Sequence, residues 1–324
     1  MIGRRWFRWL FAFCLCLTVA QTFAAGPLQS GNQGPMAGLF GLPGLVRFEH
    51  DPQTSVFARL SVANNFLPRS SEREVLLLDG ETLRLETGYG RRLNHCWSGA
   101  VLVPFLEHSG GNLDSFLNDW HRIFDLPESG RPLAPSDRLL YFYQIDDENI
   151  LNLTGRHAGL GDIRLMLALQ PGCGFSDKLL LRGGLKLPTG DPDKLLGSGG
   201  ADVFIDISRQ SGELWPGGRV SGTAGLLAMQ QSELFPNQRD AVLYAAGGFS
   251  WQFSPLIAFE AQLSTHSGFF RSDLKEPDGW SLQIIIGAQF RLSESLALEL
   301  MLSEDPVYGT SPDVVFQSGL QMRF

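Results

Sequence analysis

Ser264 and His266 stand two residues apart, so on an extended strand their side chains share a face. A serine beside an imidazole could act as nucleophile and base. Acyl transfer also needs a group that orients the histidine and donors for an oxyanion, and no serine-elbow motif surrounds Ser264. The six histidines are scattered, without the spacing of a zinc helix such as HExxH. Asp146, Asp147 and Glu148 could draw in calcium with neighbouring acids, but such a run also reads as a solvated loop. Gly159-Leu160-Gly161-Asp162 turns ahead of a strand, and with no helix behind it there is no amide cradle for a phosphate. With 26 basic and 34 acidic residues the net charge is −8, which argues against nucleic acid, since that partner needs a basic face. The residues point to no enzyme, no metal site and no cofactor.

The elements that must position these residues begin with an address. Arg4, Arg5 and Arg8 precede an apolar stretch from Trp9 to Ala20, and Thr22-Phe23-Ala24 follows with small residues at its first and third positions. This is the three-part pattern of a secretory signal, assigned here to residues 1–24. The stretch is too short to anchor in a bilayer, where about 20 residues are needed. Cys14 and Cys16 leave with the signal, so only Cys96 and Cys173 enter an oxidising compartment.

From about residue 54 onward a two-residue alternation dominates. Val314, Phe316, Leu320, Met322 and Phe324 share one face; Asp313, Gln317, Gln321 and Arg323 share the other. Many such segments reach the ~9–11 residues of a tilted membrane strand, against about 5–6 in soluble sheets. Twelve strands are predicted, near 54–64, 80–90, 95–107, 160–170, 178–189, 201–210, 218–229, 241–253, 256–266, 280–291, 295–303 and 313–324. Links after the even strands are short (RLNH, PGCGFSD, SGELWPGG, SP, SES), whereas those after the odd strands are long and polar, such as LPRSSEREVLLLDG. Alternating short turns and long external loops, with an even strand count, are what an up-and-down transmembrane barrel requires. Tyr89, Trp97, Phe105, Trp251, Phe253, Trp280 and Phe290 gather near strand ends, as interfacial girdles do. The fold class is therefore all-β, a transmembrane antiparallel up-and-down barrel over residues 51–324.

Two segments depart from that rhythm. Residues 25–50 are rich in glycine and proline, yet Leu39, Phe40, Leu42 and Leu45 favour burial, so this periplasmic segment is expected as a small plug or else a tail. In the longest loop Phe116, Trp120, Ile123 and Phe124 fall on one helical face, with Asn112 or Asp114 as cap and Pro127 as stop. That amphipathic helix could sit at the lipopolysaccharide boundary, cover the mouth, or pack on the rim. Cys96 opens the third strand and Cys173 follows the fourth at the same end, which predicts a disulfide or close approach.

The ending on Phe324 resembles the C-terminal targeting strand of Gram-negative outer-membrane barrels, and implies lipid, lipopolysaccharide and the barrel-assembly machinery as partners. The stretches GPLQSGNQGPMAGLFGLPG, NLDSFLNDWHRIFDLPESGR, GLGD and LKLPTGD resemble an uncharacterised proteobacterial outer-membrane barrel family, a domain of unknown function. The resemblance implies a barrel in the outer membrane and brings no activity.

If apolar faces meet lipid, the lumen is lined by Arg59, Arg84, Glu86, Asp162, Arg164, Lys178, Arg182, Lys186, Asp202, Asp206, Glu260, Gln262, His266, Gln283, Gln289, Arg291, Glu299 and Arg323. Bases cluster on the first five predicted strands, and acids mostly on the sixth, ninth and eleventh. This parity suits a monomeric, restricted channel for small solutes or hydrophobic compounds, gated by the N-terminal segment or the loop helix. It also suits a closed barrel, structural or for surface interaction, whose lumen is crossed by salt bridges in which these charges only satisfy one another. Lipid-modifying catalysis at the rim is the remaining alternative.

Overall fold

The computed structural model describes residues 28–44, 54–124, 131–170, 172–173, 179–306 and 309–324. Residues 1–24, expected as a signal, and Leu45, Pro127 and Lys178 lie outside them, as do the side chains of Trp120 and Phe124.

Chain order begins with β1 (Thr54–Ser70), β2 (Glu74–Arg92) and β3 (Trp97–Ser109), followed by a helix, α1 (Asp114–Phe124). A small hairpin, β4 (Leu140–Ile145) and β5 (Glu148–Leu153), precedes β6 (His157–Leu160), β7 (Arg164–Leu169) and β8 (Leu179–Lys186). The remainder is β9 (Asp202–Gln210), β10 (Gly218–Met229), β11 (Ala241–Gln252), β12 (Ile257–His266), β13 (Ser281–Arg291), β14 (Leu296–Glu304) and β15 (Val314–Arg323). β1 pairs antiparallel with both β2 and β15, and each later stave pairs with the next. β6 and β7 both pair with β3 and form one interrupted stave. The ring is closed by twelve staves, so the spanning sheet has no unpaired edge, and the one strand outside it that pairs on a single side among the described residues is β5, against β4.

The sheet is inside out relative to a soluble one. In β9 the side chains of Val203, Ile205 and Ile207 are 56%, 62% and 38% exposed, while Asp202, Phe204, Asp206 and Ser208 are buried. Apolar side chains facing out of a closed barrel are stable only where the outer solvent is hydrocarbon. Tyr89, Trp97, Trp251, Phe253 and Phe324, all exposed, ring the end where the short turns lie. This is a membrane-spanning β-barrel. No described helix is long and apolar enough to cross a bilayer.

The first external link differs from the sequence reading. The stretch LPRSSEREVLLLDG is expected as a polar loop, but β1 and β2 run 17 and 19 residues and pair to their tips. Leu67, Leu76 and Leu78 are buried in the apolar cluster that fills this end of the barrel, which hides the alternation. β4 extends the sheet beside the tip of β2. Asp146 and Asp147 lie at φ 47° and 66°, in the two-residue turn between β4 and β5. Two successive positive φ values are what a tight hairpin needs, and Asp tolerates them. The Asp146 carboxylate accepts two hydrogen bonds from Arg73, at 2.8 and 2.6 Å, so the acidic run closes a hairpin.

α1 packs on the outer wall. Asn64 shares the outward face of β1 with Leu60, and its amide donates to Glu81 and Asp114. Arg131 pairs with Asp114 at 3.1 Å and with Asp313, and lies over the Phe66 ring. Glu81 accepts the N–H groups of Asn112 and Leu113 just ahead of the helix. Phe116 meets Phe316 edge-on, ring centroids 6.0 Å apart, and Ile123 stays exposed. The helix therefore clasps the rim from outside and does not cover the mouth.

Cys96 and Cys173 are disulfide-bonded, Cα atoms 5.2 Å apart, beside the N–H of Gln170 donating to the Cys96 carbonyl. Thiol labelling of the unfolded chain should find no free thiol until reductant is added. Cys96→Ser with Cys173→Ser should lower stability by about 2–4 kcal/mol in urea titration. Two labelled thiols without reductant would sink the expectation.

Candidate functional site

Strand parity aims a set of polar side chains inward, and cross-strand register decides which of them meet. Lys186 and Asp202 stand opposite each other on β8 and β9. The Lys186 ammonium lies 2.7 Å from Asp162 and 3.2 Å from Asp202. It also donates to the Ser198 hydroxyl at 2.5 Å and the Gly200 carbonyl at 2.8 Å. The GLGD and LKLPTGD stretches build this cradle together. Asp162 accepts the Gly190 N–H at 2.8 Å and the Ser198 N–H at 3.1 Å, and the Thr189 hydroxyl donates to the Gly161 carbonyl. A Cβ on Gly197 would come within 2.3 Å of the Asp162 carboxylate, so only glycine lets the loop close over it.

Arg182 and Asp206 form a two-pronged pair at 3.0 and 2.7 Å, and the Tyr244 hydroxyl donates to the same carboxylate. Glu86 gathers three guanidinium groups: Arg59 at 3.1 Å, Arg84 at 3.7 Å, and Arg164, which reaches across β3. Arg59 and Glu86 are direct cross-strand partners. These ion pairs run along the wall, within one strand or between neighbouring or next-but-one strands. The acids on the far wall are also held close by: Glu260 accepts from Gln289 at 2.6 Å, and Glu299 stands across Gly319 from Arg59. The wall charges named here are matched within the wall; the opposed walls of the sequence reading are not joined through the lumen.

Residues 28–44 run through the interior instead. Leu28 packs on Ile285 and Met301, and its backbone meets the Gln262 amide. Gln33 accepts from Ser61 at 2.5 Å, and the carbonyls of Gln29, Gly38 and Gly44 accept from Gln317, Arg84 and Arg182. The Gly41 N–H donates to Asp202 at 2.7 Å; a Cβ there would press 3.1 Å from the Lys186 Cβ. Higher up, Leu39, Phe40 and Leu42 are buried in the apolar cluster, with Phe40 stacked on Phe269 at 4.8 Å. The segment thus crosses from a polar lower half to an apolar upper half. Between it and the wall lies a cavity of about 90 Å³, lined by Gln29, Arg59, Arg84, Glu86, Arg164 and Arg182 among others.

His266 is buried, and both ring nitrogens are engaged: Nε2 with the Asn32 amide and Nδ1 with the Ser267 carbonyl, each 2.9 Å away. With Asn32 donating and Ser267 accepting, the ring is a neutral linker and has no lone pair left for Ser264. Gln283 is buried on the same inward side of β13. Arg291 and Arg323, at the short-turn end, have interactions within the fold. Sequence reasoning missed Asn32 and Gln33, because short polar residues in a glycine-rich segment carry no periodicity; it passed over Tyr244 on β11, and placed Gln317 on the polar face of the last strand without giving it a partner. It missed His108, which bridges Thr82 and the Leu195 carbonyl, for lack of any partner signal in the chain. Among the described residues the one cluster with metal-ligand geometry is His95 with Cys96 and Cys173, and both of its sulfurs are in the disulfide.

Residues 9–324 match the family model described as "Protein of unknown function (DUF3187)". No curated protein matches the sequence. Among solved structures, the COG4313 outer membrane channel from Pseudomonas putida F1 is similar in fold, with a TM-score of 0.57 at 13% identity over 86% of this chain and 98% of that one. The CymD monoaromatic hydrocarbon channel aligns with a TM-score of 0.45 at 11% identity, over 94% and 98% of the two chains.

Proposed function

The chain belongs to the DUF3187 family, and we propose that it serves in the outer membrane as a restricted channel for small solutes, closed at rest by residues 28–44. One observation carries the reading: the ion pairs satisfy one another along the wall, and what fills the lumen is a segment that belongs to no stave, residues 28–44. A barrel built only as a scaffold gains most from bracing across its interior. Here the interior is spanned by a glycine-rich segment held by single hydrogen bonds, each worth about 0.5–1.5 kcal/mol net, and by the apolar contacts of Leu28, Leu39, Phe40 and Leu42. Withdrawal of that segment leaves a lumen lined by charges that already have partners, so the open state needs no rebuilding of the wall. Lipid and lipopolysaccharide surround the barrel, assembly proceeds through the strand ending at Phe324, and the working unit is a monomer. The likeness to an outer membrane channel of the same fold supports the reading without naming a solute.

Planar bilayers test it. The full chain should be silent or pass rare, brief currents, and a chain lacking residues 28–44 should give discrete, sustained steps. The apolar cluster at the outer end favours a second reading, a sealed barrel that binds partners through its loops. Silence with and without the segment, in protein verified as folded, would decide for that reading and end the channel proposal.

A further inference from the structure

The cavity beside residues 28–44 has an uneven charge. Among the described residues Glu86 is the one carboxylate lining it, against the guanidinium groups of Arg59, Arg84, Arg164 and Arg182. Arg182 is matched by Asp206. Arg59, Arg84 and Arg164 converge on Glu86, and the next carboxylates along the wall are Glu299, two strands beyond Arg59, and Asp162, two residues ahead of Arg164. Within the lining itself three guanidinium groups therefore share one carboxylate, and the charges of Glu299 and Asp162 that balance them lie outside it. The Arg164 Nε is buried with no acceptor. Guanidinium donors in a water-poor site favour a planar oxyanion, which takes their parallel N–H groups. The other side of the cavity is apolar, formed by Leu102, Met166 and Phe204. About 90 Å³ has room for several waters at ~10–15 Å³ of such space each, or for one carboxylate with a few carbons.

We infer that this cavity is an anion subsite that takes the carboxylate of a small organic acid, with the acid's apolar body against Leu102, Met166 and Phe204. Its location decides its use. Arg84 and Arg182 hold the Gly38 and Gly44 carbonyls, so an incoming carboxylate competes for the donors that keep residues 28–44 in the lumen. The acid would both occupy the constriction and loosen its closure. As cargo, rather than simply a bound ligand, it rests on the channel reading above.

Radiolabelled benzoate in equilibrium dialysis against the folded full chain in detergent tests the subsite, with benzylammonium as a cation of similar size. Benzoate should be retained and benzylammonium not. Arg84→Gln with Arg164→Gln should weaken benzoate by about tenfold or more, the equivalent of one charge-assisted hydrogen bond. Arg84→Lys with Arg164→Lys keeps the charge but loses the paired N–H groups, so it should hold benzoate more weakly than the native chain and more tightly than the glutamine variant, which separates loss of the site from loss of the fold. Equal retention of both probes, or full benzoate binding by the folded glutamine variant, would overturn the inference. The bilayer experiment fails separately: benzoate held by a protein that never conducts leaves the subsite and removes the channel. Conduction without benzoate retention does the reverse.

Discussion

Lys186→Met should lower the free energy of unfolding by about 3–5 kcal/mol, the cost of removing one partner from a buried ionic group. The ammonium is the sole cation among the described residues that bonds Asp162 and Asp202, both buried, and it also satisfies Ser198 and Gly200. Methionine matches its length but leaves two buried carboxylates facing each other without a cation between them. Asp162 would still hold the Gly190 and Ser198 amides, so the loop has reason to stay, and the penalty falls on the charges. Urea titration of the folded barrel in vesicles, read by band shift on gels, measures the loss. Adding Asp162→Asn and Asp202→Asn to Lys186→Met should recover part of it, because neutral amides cost less to bury than unpaired anions. A change below about 1 kcal/mol would mean that the site is hydrated and that the ion pair contributes as little as a surface one.

Phe40→Ala is expected to open the barrel without touching its wall. Truncating a buried phenylalanine costs about 3–5 kcal/mol, and this ring is stacked on Phe269 and tilted against Phe270 within the cluster that anchors residues 28–44. Since the cavity left behind destabilises only the seated segment, the cost weighs on the closed state relative to the open one. At tenfold per ~1.4 kcal/mol, the open population should rise by roughly two to four orders of magnitude. Single-channel recording at fixed voltage reads this as longer and more frequent openings of unchanged size. Phe269→Ala should produce the same effect from the wall side, and the double variant should add little beyond either. Openings of a new size would mean that the wall itself had deformed, and no change would show that the segment's polar anchors suffice.

Much of this architecture is legible in the chain, because a membrane barrel imposes one rule on every stave. Val203, Ile205 and Ile207 must face hydrocarbon, so Asp202, Asp206 and Ser208 must face inward, and register follows from parity. The hairpin of β1 and β2 escapes this rule. Beyond the bilayer both faces of Leu76 to Leu78 meet protein, and an alternation read against lipid has nothing to detect. The Asp146-Asp147 turn is disguised by its charge, since its backbone demand is the informative property. Parity also says which side chains look inward without saying whom they meet. Lys186 is readable as inward, whereas its bonds to Asp162 and Ser198 depend on a loop folding back through Gly197. The route of residues 28–44 depends on hydrogen bonds from their own backbone, which leave no trace in residue type.

The pairing of charges along the wall has a kinetic consequence. Arg59 with Glu86, and Arg182 and Lys186 with Asp206 and Asp202, each join two strands of one hairpin. Ladders between sequence neighbours have low contact order and form early. Each such hairpin can enter the bilayer with its own counterions already in place, and the seam between β1 and β15 remains the one long-range join to be zipped last.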